Sequence, residues 1–237
     1  DLSNTGTIQA QAGTTVRFGS GSTPVLNDVG GVIEATDATV ELFGQWSNAG
    51  TIDIDNSTLE LGGSFTTSDI GTINRTGGEV LVSGTWDNTG ETFTFDSTTG
   101  DYILSGGTIQ GGTLNPSGAN LLFNSFSTGT LDGTTLAGDL VLDQSNAGAR
   151  LTNGATFTGD AQLTGFGTRL IIDDDRTLDN TTIDLDGNSA DFGNSGTHTL
   201  TLGPNATVNL NAREAEITSD LFSSGTGTVV NQGTIVA

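Results

Sequence analysis

One short phrase recurs along the whole of this chain. It is Asn4-Thr5-Gly6-Thr7-Ile8 near the start, Asn48-Ala49-Gly50-Thr51-Ile52 in the first quarter and Asn231-Gln232-Gly233-Thr234-Ile235 near the end. Looser copies lie between: Gly31-Val32-Ile33, Gly71-Thr72-Ile73, Gly112-Thr113-Leu114 and Gly129-Thr130-Leu131. Self-similarity at a fixed short period is the mark of a solenoid, in which each repeat is one unit of a stack.

A second series sets the period. Thr39-Val40-Glu41-Leu42, Thr58-Leu59-Glu60-Leu61 and Glu79-Val80-Leu81-Val82 continue as Tyr102-Ile103-Leu104, Leu121-Leu122-Phe123 and Leu140-Val141-Leu142. Leu42, Leu61, Val82, Leu104, Phe123 and Leu142 follow one another at steps of about 19 to 22 residues. Each unit holds three short segments in which apolar and polar residues alternate, the pattern of strands with one face turned inward. Gly, Asn, Asp and Ser divide the segments and supply the corners. Three to five residues are too few for a helix. The unit therefore predicts one three-strand coil of a parallel β-helix, about 20 residues long.

A single coil has too few inward side chains to offset the entropy of ordering its backbone, so the coils must stack. Apolar residues make up 33% of the chain, low for a globule and enough for a narrow core. The 36 Gly and only 3 Pro fit a chain that turns often and keeps its N–H groups in ladders. We expect one elongated domain over 1–237, regular over about 1–145 and looser, with longer loops, over about 146–237. In the looser part Leu163, Leu170-Ile171-Ile172, Ile183-Asp184-Leu185, Leu200-Thr201-Leu202 and Val208-Asn209-Leu210 are the expected strands, and Ala212-Arg213-Glu214-Ala215-Glu216 a loop or single helical turn. Spare loop length for a side cleft is expected only over about 143–228.

The formal charge is −22, from 28 acidic residues and six Arg, with no Lys. Such a surface repels phosphate backbones and anionic lipid, which excludes nucleic acid as a partner and makes divalent cations the natural counter-species. There is no Cys, hence no disulfide, thiolate metal site or Cys nucleophile. No apolar run approaches the ~20 residues of a membrane span, so membrane insertion is not expected in this segment.

Three groups of residues are candidates for chemistry. Trp46, Phe65 and Trp86 each stand two positions after a Gly (Gly44, Gly63, Gly84), which predicts three rings in one column on adjacent coils. Such a column is either an interior stack that sets the register or an outward platform for sugar rings. Asn48 and Asn88 follow their Trp by two residues and are placed for an amide ladder between coils. Asp173, Asp174 and Asp175, with Asp184, Asp186 and Asp191, are candidate ligands of a weak Ca²⁺ site; a solvated acidic turn is the plainer reading. Here Gly187 falls fourth in its loop, where the calcium-hand loop has its Gly sixth. The lone His198 sits at a polar strand position and reads as solvated or stacked. A polysaccharide hydrolase needs two carboxylates roughly 5–9.5 Å apart, a distance that some pair among so many acids meets by chance.

These Asn-x-Gly-Thr-Ile and Thr-Leu-Glu-Leu coils, with Gly-x-Trp at Gly44-Gln45-Trp46 and Gly84-Thr85-Trp86 and no Cys, resemble bacterial autotransporter passenger domains and the repeat regions of filamentous-haemagglutinin-like adhesins. The resemblance covers residues 1–145 best. It implies a right-handed parallel β-helix at a bacterial cell surface or in the surrounding matrix. It matches no active-site motif, so no functional residue is carried over. The expected function is a structural or adhesive rod segment of a secreted surface or biofilm-matrix protein, not an enzyme, with glycans or host and matrix proteins as partners. The alternatives are a subunit that assembles head to tail into an extracellular fibre, and a β-helix that binds or cleaves glycans as lyase or hydrolase. Because the chain opens inside a repeat at Asp1 and closes two residues after another, it is expected to be part of a longer array or to associate end to end.

Overall fold

The structure, a computed structural model, describes residues 2–19, 23–219, 221 and 226–237. Asp1, residues 20–22 and, within the stretch 143–228 where spare loop length is expected, residues 220 and 222–225 lie outside the described residues. Parallel strands stack as a β-solenoid of about ten turns, about 22 residues apart, with almost no helix. Among the described residues the helix is one short turn, Thr67–Ile70, and no helix is long and apolar enough to cross a membrane. Contacts divide the chain into two compact units, Asp1–Gln110 with Pro116–Leu121, and Gly111–Asn115 with Leu122–Ala237.

In the first unit every turn offers three short strands, one to each of three faces. One face stacks Thr7–Ala10, Val32–Thr36, Thr51–Asp55 and Thr72–Thr76. A second stacks Thr15–Phe18, Thr39–Leu42, Thr58–Leu61, Glu79–Val82 and Tyr102–Leu104. Register follows the alternation in the sequence. Phe18, Leu42, Leu61, Val82 and Leu104 form one column, and Val40, Leu59 and Val80 a parallel one, all buried. The bonds between turns are ordinary parallel-ladder bonds: the Thr58 N–H donates to Ala38 O at 2.9 Å and the Glu79 N–H to Ser57 O at 2.9 Å.

One inward position of the ladder from Thr7–Ala10 to Thr72–Thr76 is not apolar. Arg75 stands opposite Ile54, in the last strand of its four-stranded ladder. Its Nη1 donates to Thr99 O at 3.2 Å and Asp101 O at 2.6 Å, and its Nη2 to Gly78 O at 3.1 Å. The guanidinium thus ties the Thr99–Asp101 loop to Gly78. Gly100, at φ 69°, lies beside the guanidinium, and this left-handed backbone favours Gly there.

The second unit repeats the plan. Thr128–Asp132, Gly148–Thr152, Arg169–Ile172, Asp191–Asn194 and Glu216–Thr218 stack on one face. On another, Leu142 opens a buried column of its own, with Leu163 and Leu185, in the ladder that continues to Thr207–Leu210. The five strands expected after residue 150 are all present. Regular steps persist past 145: Gly148 pairs with Arg169, 21 residues on, and Arg169 with Asp191, 22 on. Longer steps come later, as from Asp191 to Glu216 (25) and Thr199 to Thr228 (29). The Gly-Thr-Ile-like copies do not share one face: Gly50-Thr51-Ile52, Gly129-Thr130-Leu131 and Gly233-Thr234-Ile235 enter three different ladders. Gly50 and Gly233 stand just before their strands and Gly129 just inside its own, so the motif lies at the start of a strand on whichever face follows.

Candidate functional site

The aromatic column forms as expected, on the inside. Trp46, Phe65 and Trp86 are 4%, 3% and 0% exposed. Phe65 pairs with Trp86 in register, and ring centroids lie 4.6 Å apart for Trp46 and Phe65 and 6.0 Å for Phe65 and Trp86. The Trp46 indole N–H donates to Gly62 O at 2.9 Å and that of Trp86 to Thr67 Oγ1 at 2.9 Å. The sugar-platform reading of Trp46, Phe65 and Trp86 is therefore corrected: the rings face the core because their strands alternate inward at these positions, and both indole donors are taken. Phe93, Phe95 and Tyr102 continue the cluster by edge contacts. Burial pushes the Tyr102 phenol up to about 12, so it stays neutral at physiological pH.

An amide ladder also exists, with Asn48 of the two expected members and without Asn88. Asn4 donates to Asn27 Oδ1 at 2.8 Å, and Asn27 to Asn48 Oδ1 at 2.8 Å. Asn48 then donates to Ile70 O and Thr72 O, both at 3.0 Å. The short helix Thr67–Ile70 ends the series there. Asn88 instead accepts from Thr67 Oγ1 at 2.6 Å. Gly71, at φ 59°, makes the closure possible, since a Cβ would lie 1.9 Å from Asn48 O.

The six candidate Ca²⁺ ligands are not brought together. Asp173 accepts from Arg150 at 2.7 Å and from Ser195 Oγ. Asp174 takes a two-pronged bond from Arg176 at 2.5 and 2.6 Å and accepts from the Gly154 N–H at 2.7 Å. Asp175 accepts from the Thr199 N–H at 2.6 Å, with His198 Nδ1 at 3.9 Å. Asp184 and Asp186 accept from Asn209 at 2.6 Å and Asn211 at 2.7 Å, while Asp191 pairs with Arg169 at 3.4 Å. Burial pushes the Asp173 carboxyl up, but the bonds from Ser195 and Arg150 and the Arg150 charge outweigh it and hold the group below the usual range. Asp174 behaves alike, burial being outweighed by Arg176 and the Gly154 N–H. These carboxylates are occupied in joining turns. Among the described residues no group of three His, Cys, Asp or Glu side chains is placed to hold a metal ion.

An open groove of about 500 Å³ follows the outer face of the first unit, lined in part by Leu26, Ser47, Thr66, Asp69, Asp87 and Gln110. Its carboxylates serve local turns. Asp69 accepts from the Thr66 N–H at 2.7 Å. Asp87 is held below the usual range by bonds from the Thr89 hydroxyl and N–H, so it is ionised at neutral pH and is no proton donor.

The most unusual surface lies at one corner of the second unit. Phe126, Asn146, Gly167 and Ser189 all have positive φ (56°, 58°, 67°, 59°), one per turn. The Phe126 N–H donates to Ser145 O at 3.3 Å, that of Asn146 to Phe166 O at 2.7 Å and that of Gly167 to Asn188 O at 2.9 Å. Equivalent corners elsewhere carry Asp37, Asn56 and Gly77, or Gly133 and Asn153, the residue types that tolerate this backbone. Phe does not, and holding it there costs about 1–3 kcal/mol. Phe126 is nonetheless 81% exposed, and Phe166 57%. The Asn146 amide reaches over Gly167, where a Cβ would lie 2.7 Å from its Oδ1. Phe126, Ser145, Asn146, Phe166, Asn188 and Ser189 form a strip of uncharged residues in a chain of net charge −22, bounded at one end by the Glu214 carboxylate, which accepts from Ser189 Oγ at 3.1 Å. Sequence reasoning missed this strip. The available signal was Phe at two turn positions, Ser125-Phe126-Ser127 and Gly165-Phe166-Gly167, whose counterparts are small or polar.

Compared with known proteins, the chain matches no family model, no curated protein and no solved structure.

Proposed function

We propose that this chain is a structural and adhesive segment of a secreted bacterial surface protein. The observation that carries the reading is where its functional groups go. Arg17, Arg150 and Arg169 each pair with a carboxylate one turn on. Asn4, Asn27 and Asn48 bond in series, and the Trp and Leu residues stack on like neighbours. Side chains that would serve chemistry elsewhere join one turn to the next, as a scaffold requires. The acidic, Cys-free composition and the resemblance of the coils to autotransporter and adhesin repeats support the extracellular setting. The exposed neutral corner supplies the adhesive part.

The test is an adhesion assay with a chemical control. Cells displaying the chain should adhere to glycan- or matrix-coated plates above cells without it. The purified chain should release no soluble sugar from a polysaccharide panel. Release of oligosaccharide would overturn the reading in favour of an enzyme, and adhesion equal to control would remove its adhesive half.

A further inference from the structure

We infer that the corner strip of the second unit binds a neutral, extended glycan chain, an assignment that rests on the adhesive reading above and names its ligand class. Two phenyl rings stand exposed at corners two turns apart. At ~4.8 Å per turn their backbones are separated by ~10 Å, a span that two alternate rings of an extended polysaccharide can bridge. Between and beside them lie the hydroxyls and amides of Ser145, Asn146, Asn188 and Ser189, the last donating to the Glu214 carboxylate at 3.1 Å. A sugar ring offers an apolar C–H face and an equatorial rim of hydroxyls. The phenyl faces suit the first, and side chains that both donate and accept suit the second.

Charge narrows the choice. A protein of net charge −22 with six Arg disfavours uronate or sulfated chains, as it does nucleic acid. The Glu214 carboxylate touches the strip at its Ser189 end, one turn beyond the two rings, and is engaged by the Ser189 hydroxyl. The strained backbone at Phe126 argues against a purely structural part, since the neighbouring turns use Asn, Gly and Ser at this place without an exposed ring. A strained aromatic that is 81% exposed is an observation that points to recognition.

The experiment uses the whole 237-residue chain. Binding of cellohexaose, laminarihexaose and xylohexaose is followed by calorimetry, with polygalacturonate and a chitosan oligosaccharide as charged controls. Phe126→Asn and Phe166→Ser place at each site the residue type found one turn away, so both variants keep the fold. We expect at least one neutral hexasaccharide to bind, each variant to weaken it about tenfold or more, and Phe126→Asn to melt at the same temperature or higher. Val29→Ser, at an 83% exposed apolar residue of the first unit, should bind as the parent does. Three outcomes would overturn the inference: no neutral glycan bound by a chain that still supports cell adhesion, which leaves the adhesive reading standing; glycan binding that survives both variants; or concentration-dependent self-association abolished by Phe126→Asn, which would make the strip a contact between copies.

Discussion

At the scale of single residues, what this fold demands depends on which way a side chain points and how closely the next turn approaches. Leu61 is fully buried between Leu42 and Val82. Leu61→Ala should cost about 2–5 kcal/mol in a urea titration, because stacked neighbours above and below cannot both collapse into the gap. Wild-type stability would mean the inward assignment is wrong. Glycines separate into two kinds. Gly71 and Gly90 both have positive φ, but a Cβ at Gly71 would meet Asn48 O while one at Gly90 meets nothing within 4 Å. Gly90→Ala should therefore lose only about 1 kcal/mol, the conformational cost, and Gly71→Ala several times more. Equal losses would show that strain, not contact, sets the penalty. The inward Leu and Val positions were legible because strict alternation leaves no choice of face. Arg75 was not, because nothing in its strand announces that a loop more than 20 residues on will offer it carbonyls. Phe126 was not, because the conformation of a corner is invisible until the turns are aligned in space.

At the scale of elements, side chains in equivalent positions act as series. The Asn4–Asn27–Asn48 ladder passes each amide bond to the next turn. Asn27→Ala would strand a donor on Asn4 and an acceptor on Asn48 at once, for an expected loss of about 2–4 kcal/mol in chemical denaturation. A loss no larger than for an exposed Asn would show that the ladder does not contribute. Half of this element could be read from sequence: Asn48 was recognised, and its true partner Asn27 was not, because Asn27-Asp28-Val29 lacks the Asn-x-Gly-Thr-Ile frame. The expected partner Asn88 is cut off by the helix Thr67–Ile70, whose Thr67 hydroxyl takes the place of an amide. Four tandem residues can be a helical turn inside a strand protein when the corner lengthens by a few positions, and strand periodicity does not reveal it. Series can also oppose the fold. Glu41 lies over Glu60 in register, and like charges at paired positions are destabilising.

At the scale of the whole molecule, acidity and periodicity dominate. The Asp173 and Asp174 carboxyls are held below their ordinary range. Their contribution is thus present above the unfolded-state value near pH 4 and is lost as pH falls through the lowered folded-state value. The melting temperature of the wild type should exceed that of Asp173→Asn at pH 7, with the gap closing in acid. A gap constant down to low pH would show that Asp173 acts by packing alone. The solenoid itself was legible from the 19–22-residue recurrence, while the separate ladders after Leu142 and the longer late turns were not, since corner length is free to vary once the inward columns are kept. The central claim is that successive repeats lie directly on one another in parallel register, and the absence of Cys allows a direct test. Glu41 is paired with Glu60, and Glu60 with Leu81. Adjacent strands are ~4.8 Å apart, within reach of a disulfide, whereas two turns, ~10 Å, are beyond it. Mild oxidation should cross-link Glu41→Cys/Glu60→Cys and leave Glu41→Cys/Leu81→Cys as free thiols; a cross-link in the second pair, or none in the first, would contradict the stacked solenoid.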